Sequence, residues 1–124
     1  SMIARGRGKI VNIGSMWGRL GVPRYAAYCV SKAGVDALTR CLAIEWARHN
    51  IQVNCLAPGY LATDFSRDKM AEPRIRDLIL SKIPARRLGE PAEMGPLAVY
   101  LASAASDFMT GQTVYIDGGE TASW

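Results

Sequence analysis

Tyr28 and Lys32 stand four residues apart in a stretch rich in helix formers, so on a helix both side chains leave the same face. A phenol in water has a pKa of about 10 and exchanges protons poorly at neutral pH. A cation within about 4–6 Å favours the phenolate and lowers that value by roughly 1–3 units. Tyr28 is therefore a candidate acid–base group and Lys32 its tuner. An isolated Y-x-x-x-K also fits a core tyrosine beside a solvated lysine, so the surroundings must decide. Ser15, thirteen positions before Tyr28, is the nearest of those surroundings.

The elements that would position these groups follow from the pattern. Lys9 to Gly14 (KIVNIG) is a short β-branched run that reads as a buried strand, with Ser15 at its end. Gly18, Gly21 and Pro23 make residues 16–24 a loop. From Tyr25 to His49 Gly34 is the one weak spot, and Val35, Leu38, Leu42 and Trp46 recur at helical spacing. Ala26, Ala27, Ser31, Ala33, Gly34 and Ala37 give the first half of that helix a small-residue surface, expected where another backbone packs closely. Ile51 to Leu56 reads as a second strand, broken by Ala57-Pro58-Gly59. Thr63 or Asp64 is placed to cap a helix through Met70, and Pro73 interrupts it. Ile75, Leu78 and Ile79 mark a further helical piece ending before Pro84. A helix start is expected at Glu90-Pro91, delayed or kinked by Pro96. Thr113 to Ile116 is a third strand, closed by Gly118-Gly119.

Strand, helix, strand, helices, strand predicts an α/β fold with parallel strands and covering helices. Ligands of such sheets bind beyond the carboxyl ends of the strands. Ser15 and the Pro58-Gly59 turn both fall at such ends, so two distant stretches converge on one edge.

At 124 residues the chain is expected to form one domain at most. Its net charge of +4 is scattered, without interleaved aromatics, so no nucleic-acid partner is expected. No apolar run reaches the length of a membrane span, and none is expected to cross or anchor to one. Cys29, Cys41 and Cys55 form no C-x-x-C and read as reduced, mostly buried thiols of a cytoplasmic protein. His49 is the single histidine, which argues against a metal site and against a hydrolase built on Ser15.

Five segments in order carry a family resemblance: GKIVNIGS at 8–15, YCVSK at 28–32, IQVNCLAPGYLATD at 51–64, RLGEPAEM at 87–94 and TGQTVYIDGG at 110–119. Together they cover nearly the whole chain, and the chain resembles the carboxyl-terminal half of a short-chain dehydrogenase/reductase. The resemblance implies the C-terminal half of a doubly wound Rossmann-type parallel sheet, about three strands, and NAD or NADP as cofactor. It implies that Tyr28 passes a proton to or from the oxygen of an alcohol or carbonyl substrate while hydride moves to or from the nicotinamide. Lys32 would also hydrogen-bond the nicotinamide ribose, and Ser15 would stabilise the charge on the reacting oxygen. Pro58 and Gly59 would form the floor under the nicotinamide, Gly59 by permitting close backbone approach. Leu61, through backbone groups, and Thr63, through its hydroxyl, would contact the carboxamide. The loop and helices between Tyr60 and Leu88 would cover the substrate, Met16, Trp17 and Tyr60 would line its pocket, and Asn54 reads as structural. The wording EWA at 45–47, PGYLATD and IPARRLGEP is most similar to members acting on polyols, sugars or sugar acids, with 3-oxoacyl carrier-protein reductases nearly as close.

The family's glycine-rich T-G-x-x-x-G-x-G turn, its cofactor-selecting charge and its N-N-A-G stretch do not occur in residues 1–124. The chain is accordingly expected to be a partial domain, a fragment of a longer enzyme or one half of a noncovalent complex. The missing N-terminal half would be its partner, and KIVNIG its unpaired edge. Homo-oligomerisation is expected from the resemblance of the long helix and last strand to the family's oligomer surfaces. A non-catalytic, self-associating module is the competing reading.

Overall fold

The computed structural model describes residues 1–123. Three parallel strands, β1 (Gly8–Ile13), β2 (Ile51–Pro58) and β3 (Thr113–Ile116), lie in the order β1-β2-β3. β2 is central and buried from Ile51 to Ala57, polar Gln52 and Asn54 included, as a strand covered on both faces is. Gly8 stands opposite Ile51 and Ile13 opposite Leu56, while Cys55 to Pro58 face Thr113 to Ile116. β1 therefore keeps one lateral edge without a strand partner among the described residues.

β2 outlasts its expected end by two residues, because Pro58 costs the ladder nothing there. Pro58 pairs with Ile116, and the Gly59 N–H donates to the Ile116 carbonyl. The missing proline N–H thus points to the other side, where β1 has already stopped at Ile13.

Five helices flank the sheet: α1 (Met2–Arg5), α2 (Ala26–Trp46), α3 (Asp64–Ala71), α4 (Pro73–Lys82) and α5 (Gly95–Ala102). α2 packs on β2 and α5 on β1. Ala43 joins Ile51 and Val53 in the core, with Met2, Ile10, Leu42 and Trp46 against them. Pro96 does delay the last helix. Residues Pro91–Met94 form a 3-10 turn and α5 begins only at Gly95, since a proline without an N–H fits the first turn and not the interior.

Three expectations need correction. Buried positions of α2 are Asp36, Thr39 and Ala43, whereas Leu38 is 51% exposed. The helix docks by polar contacts: Asn12 donates to Thr39 Oγ1 at 2.9 Å, and Thr113 donates to Asp36 Oδ1 at 3.2 Å. The small residues of α2 face outward, Gly34 has open space above it, and close approach occurs only where Gly18 meets the backbone at Lys32 and Ala33. Of the cysteines only Cys55 is buried; Cys29 is half-buried and Cys41, off the inner face of α2, is exposed. Burial, then the charge of Asp36, pushes the Cys55 thiol up to about 11, so it acts as a packing group.

Candidate active site

Beyond Ile13 the chain turns into a 3-10 helix, Met16–Gly18, capped by Ser15, whose Oγ accepts the Trp17 N–H at 3.2 Å. Ser15 and Met16 are buried. Gly18 then seats this turn on α2, since a Cβ there would stand 2.9 Å from the Lys32 carbonyl carbon. Lys32 answers from the helix: its Nζ donates to the Ile13 carbonyl at 3.1 Å. Strand tip, serine and lysine are thus tied into one unit.

Tyr28 lies one turn before Lys32, whose ammonium stands 5.8 Å from the phenol ring centroid. The ring is 43% exposed and packs edge-on to Trp17 at 5.7 Å. Trp17 is also T-shaped to Tyr60 at 5.7 Å and tilted against Tyr25 at 4.9 Å. Offset and edge-on pairs of this kind hold their rings in fixed orientation. Burial, then the nearby Glu120 and Tyr25, raises the Tyr60 phenol above its ordinary value, so it stays neutral and serves as a wall.

The second strand brings the opposite rim. A Cβ on Gly59 would lie 2.6 Å from Asp117 Cα, so this glycine admits the chain's own backbone after β3 while it also lines the cavity. Leu61 forms a single parallel bridge with Gly89: Ala62 N–H donates to Gly89 and Gly89 N–H to Tyr60. That pattern turns the Leu61 N–H and carbonyl to the other side. Ser66 Oγ donates to the Leu61 carbonyl at 2.8 Å and accepts the Thr63 N–H at 3.0 Å. Thr63 precedes α3 as its N-cap residue. Behind this loop Arg87 grips Glu93 with two bonds of 2.7 and 2.8 Å. That grip, with the Glu90 N–H, holds the Glu93 carboxyl down at about 2.

All ten residues singled out in the sequence, Ser15, Met16, Trp17, Tyr28, Lys32, Pro58, Gly59, Tyr60, Leu61 and Thr63, line one cavity of about 320 Å³. That volume is within the range of small-molecule sites. Phe65, Ser66, Lys69, Met70, Ile79 and Leu88 line it too, from the segment between Tyr60 and Leu88 expected to cover the substrate, though none of them was singled out individually, because nothing local says which of their side chains turn inward. Tyr25 lines it as well and was missed, although it stands three residues before Tyr28 on the same helix face.

Glu120 was also missed. It is 9% exposed, and its Oε2 has no hydrogen-bond partner. Burial, reinforced by Asp117 and opposed by Lys82, raises its carboxyl above the ordinary value. Its charge therefore weighs on the fold increasingly as pH rises from the ordinary carboxylate range through that raised value. Glu120→Gln is expected to raise the thermal midpoint at neutral pH, with the gain vanishing in acid, as a pH series of melting curves will read.

Among the described residues no His, Cys, Asp and Glu group is placed to hold a metal ion, and no helix is long and apolar enough to cross a membrane.

A parallel α/β sheet thus brings Ser15, Tyr28 and Lys32 around one cavity at its strand tips. Comparison with known proteins gives the class of chain this is. Residues 1–121 match the family model described as enoyl-(acyl carrier protein) reductase. Gluconate 5-dehydrogenase of Gluconobacter oxydans (strain 621H) is 44% identical over 122 residues, covering 98% of this chain and 48% of the relative. The 2-dehydro-3-deoxy-D-gluconate 5-dehydrogenase of Escherichia coli (strain K12) is 49% identical over 119 residues, 94% of this chain and 47% of the relative. The crystal structure of a gluconate 5-dehydrogenase from Burkholderia cenocepacia J2315, in complex with NADP and tartrate, superposes with a TM-score of 0.95 at 44% identity, covering 99% of this chain and 48% of that one. The chain belongs to the short-chain dehydrogenase/reductase family and spans about half the length of the relatives it matches.

Proposed function

We propose that residues 1–124 are the catalytic and substrate-binding half of a nicotinamide-dependent oxidoreductase that interconverts an alcohol and a carbonyl on a polyol, sugar or sugar acid. The observation that carries this is the meeting of Ser15, Tyr28 and Lys32 in one cavity, with Lys32 fixed to the strand tip through Ile13. The names of the relatives support the substrate class.

The donors present fit the nicotinamide-ribose end of such a cofactor. Lys32 has three ammonium hydrogens and the Ile13 carbonyl engages one, which leaves others for a ribose hydroxyl. The Leu61 N–H, turned away from Gly89, is available to a carboxamide oxygen. When bound, the nicotinamide supplies the hydride acceptor or donor. Ser15 Oγ accepts from Trp17, so its own hydrogen is free to bond the substrate oxygen and stabilise charge developing there. Tyr28 hands that oxygen a proton or removes one, and the Lys32 ammonium stabilises charge left on the phenol oxygen. Pyrophosphate binding is the task of the missing N-terminal half, NAD or NADP being the cofactor.

The test is NAD(P)H absorbance with the full chain that carries these residues, either dinucleotide and a panel of sugar acids and polyols. Turnover on at least one is expected; none across the panel overturns the reading.

A self-associating module is favoured by one observation, the exposure of Val30, Leu38 and Ile44 along α2 at 72, 51 and 81%. Oligomerisation through such apolar side chains is compatible with catalysis, whereas an assembly that ignores dinucleotide supports the non-catalytic alternative. Three unpaired cysteines support a cytoplasmic setting.

A further inference from the structure

Among the described residues the cavity wall contains two cations, Lys32 and Lys69, and no carboxylate. Lys32 sits at the strand tip, bonded to Ile13. Lys69 comes from α3. Its Nζ donates to the Tyr25 hydroxyl at 3.1 Å and lies 5.3 Å from the Tyr25 ring centroid and 5.0 Å from that of Phe65. The four ion pairs among the described residues, Lys9–Asp107, Arg67–Asp64, Arg76–Asp77 and Arg87–Glu93, do not include it.

Lys69 is half-buried, so part of its water shell is already replaced by two aromatic faces and a phenol oxygen. Those contacts orient an ammonium without neutralising it. Two of its hydrogens remain for an anion, and Tyr25 restricts where that anion can sit. Trp17 links the two ends of the cavity, meeting Tyr28 on the catalytic side and Tyr25 on the Lys69 side.

We propose that Lys69, held in place by Tyr25, anchors the carboxylate of the substrate and makes this cavity prefer sugar acids over neutral polyols. The inference deepens the oxidoreductase reading and rests on it for the identity of the reacting end. The carbon that reacts lies by Ser15 and Tyr28, and the carboxylate lies at the far end of the same chain of atoms. Charge-assisted bonds of this kind select between an acid and its neutral analogue by about 10- to 100-fold.

The experiment is isothermal titration of gluconate, with sorbitol as the neutral control, into the full chain that carries these residues. Lys69→Met, which keeps the stem and removes the charge, is expected to weaken gluconate about 10- to 100-fold relative to sorbitol, and Lys69→Arg to restore it. Equal weakening of both ligands makes Lys69 a mere prop for Tyr25 and overturns the proposal. So does an unchanged gluconate affinity, or no gluconate binding to the unaltered chain. Steady-state kinetics separates this outcome from the parent reading. Gluconate binding that depends on Lys69 without any NAD(P)-linked turnover sinks the oxidoreductase and leaves the anion site. Turnover whose gluconate-to-sorbitol preference ignores Lys69→Met does the reverse.

Discussion

Tyr28→Phe in the full chain is expected to lower kcat on the order of 10²- to 10⁴-fold, with little change in KM or in the melting temperature. The ring contributes packing against Trp17, and phenylalanine keeps that edge-on contact. What it loses is the hydroxyl, and with it the one group beside Lys32 able to move a proton at the substrate oxygen. Ser15 cannot replace it, because a hydroxyl bonded to the Trp17 N–H stabilises charge without a base behind it. His49, the single imidazole, belongs to the 3-10 turn after α2 and lines no part of this cavity. Steady-state kinetics and a melting curve check both halves of the expectation. Retained turnover would remove the proton-transfer role from Tyr28.

The largest effect on stability is expected at Asn54. It is 1% exposed in the middle of β2, its Nδ2 donates to the Met109 carbonyl at 2.7 Å, and its Oδ1 accepts the Gln112 N–H at 3.1 Å. These two bonds fasten the loop that leads into β3. Asn54→Leu keeps the branched shape, adds volume at a fully buried position and takes both partners from the loop, each lost bond costing about 1–3 kcal/mol, so a loss of about 2–6 kcal/mol follows. Urea denaturation is the measurement. Asn54→Asp keeps the acceptor for Gln112 but loses the donor to Met109 and buries a carboxylate against that carbonyl, so it too is expected to destabilise, less so in acid. A leucine variant as stable as the parent would show that the loop finds its place without this side chain.

Three strands and the long helix were legible because their signals are local and agree with one another. IQVNCL sets Ile51, Val53, Cys55 and Leu56 in a short run between turn signals, and Thr113 to Ile116 is bounded by glycines. The grouping of Ser15, Tyr28 and Pro58 in one cavity was legible at the level of topology, since parallel strands send their carboxyl ends to one edge. The inner face of α2 was not. Asp36 and Thr39 occupy it in place of a hydrophobic stripe, and a polar side chain facing inward is invisible until its partners, Thr113 and Asn12, are known. Lys69 escaped for a related reason. Its meaning depends on Tyr25, forty-four residues away in sequence, and on the fold-back of α3 over the cavity. Cys41 was misplaced because free cysteines are buried on average, while its own position on α2 faces outward. Gly59 lines the cavity as expected of its position, and its closeness to Asp117 was not legible because it depends on where the chain turns after β3.

Trp17 touches three tyrosines at once, and this has a spectroscopic consequence. Light absorbed by Tyr25, Tyr28 and Tyr60 passes readily to an indole so close by, so the cavity carries a built-in antenna. Any guest that excludes water there or parts the rings will alter the indole's emission and its sensitised component together. The chain can therefore report occupancy of its own site without a label.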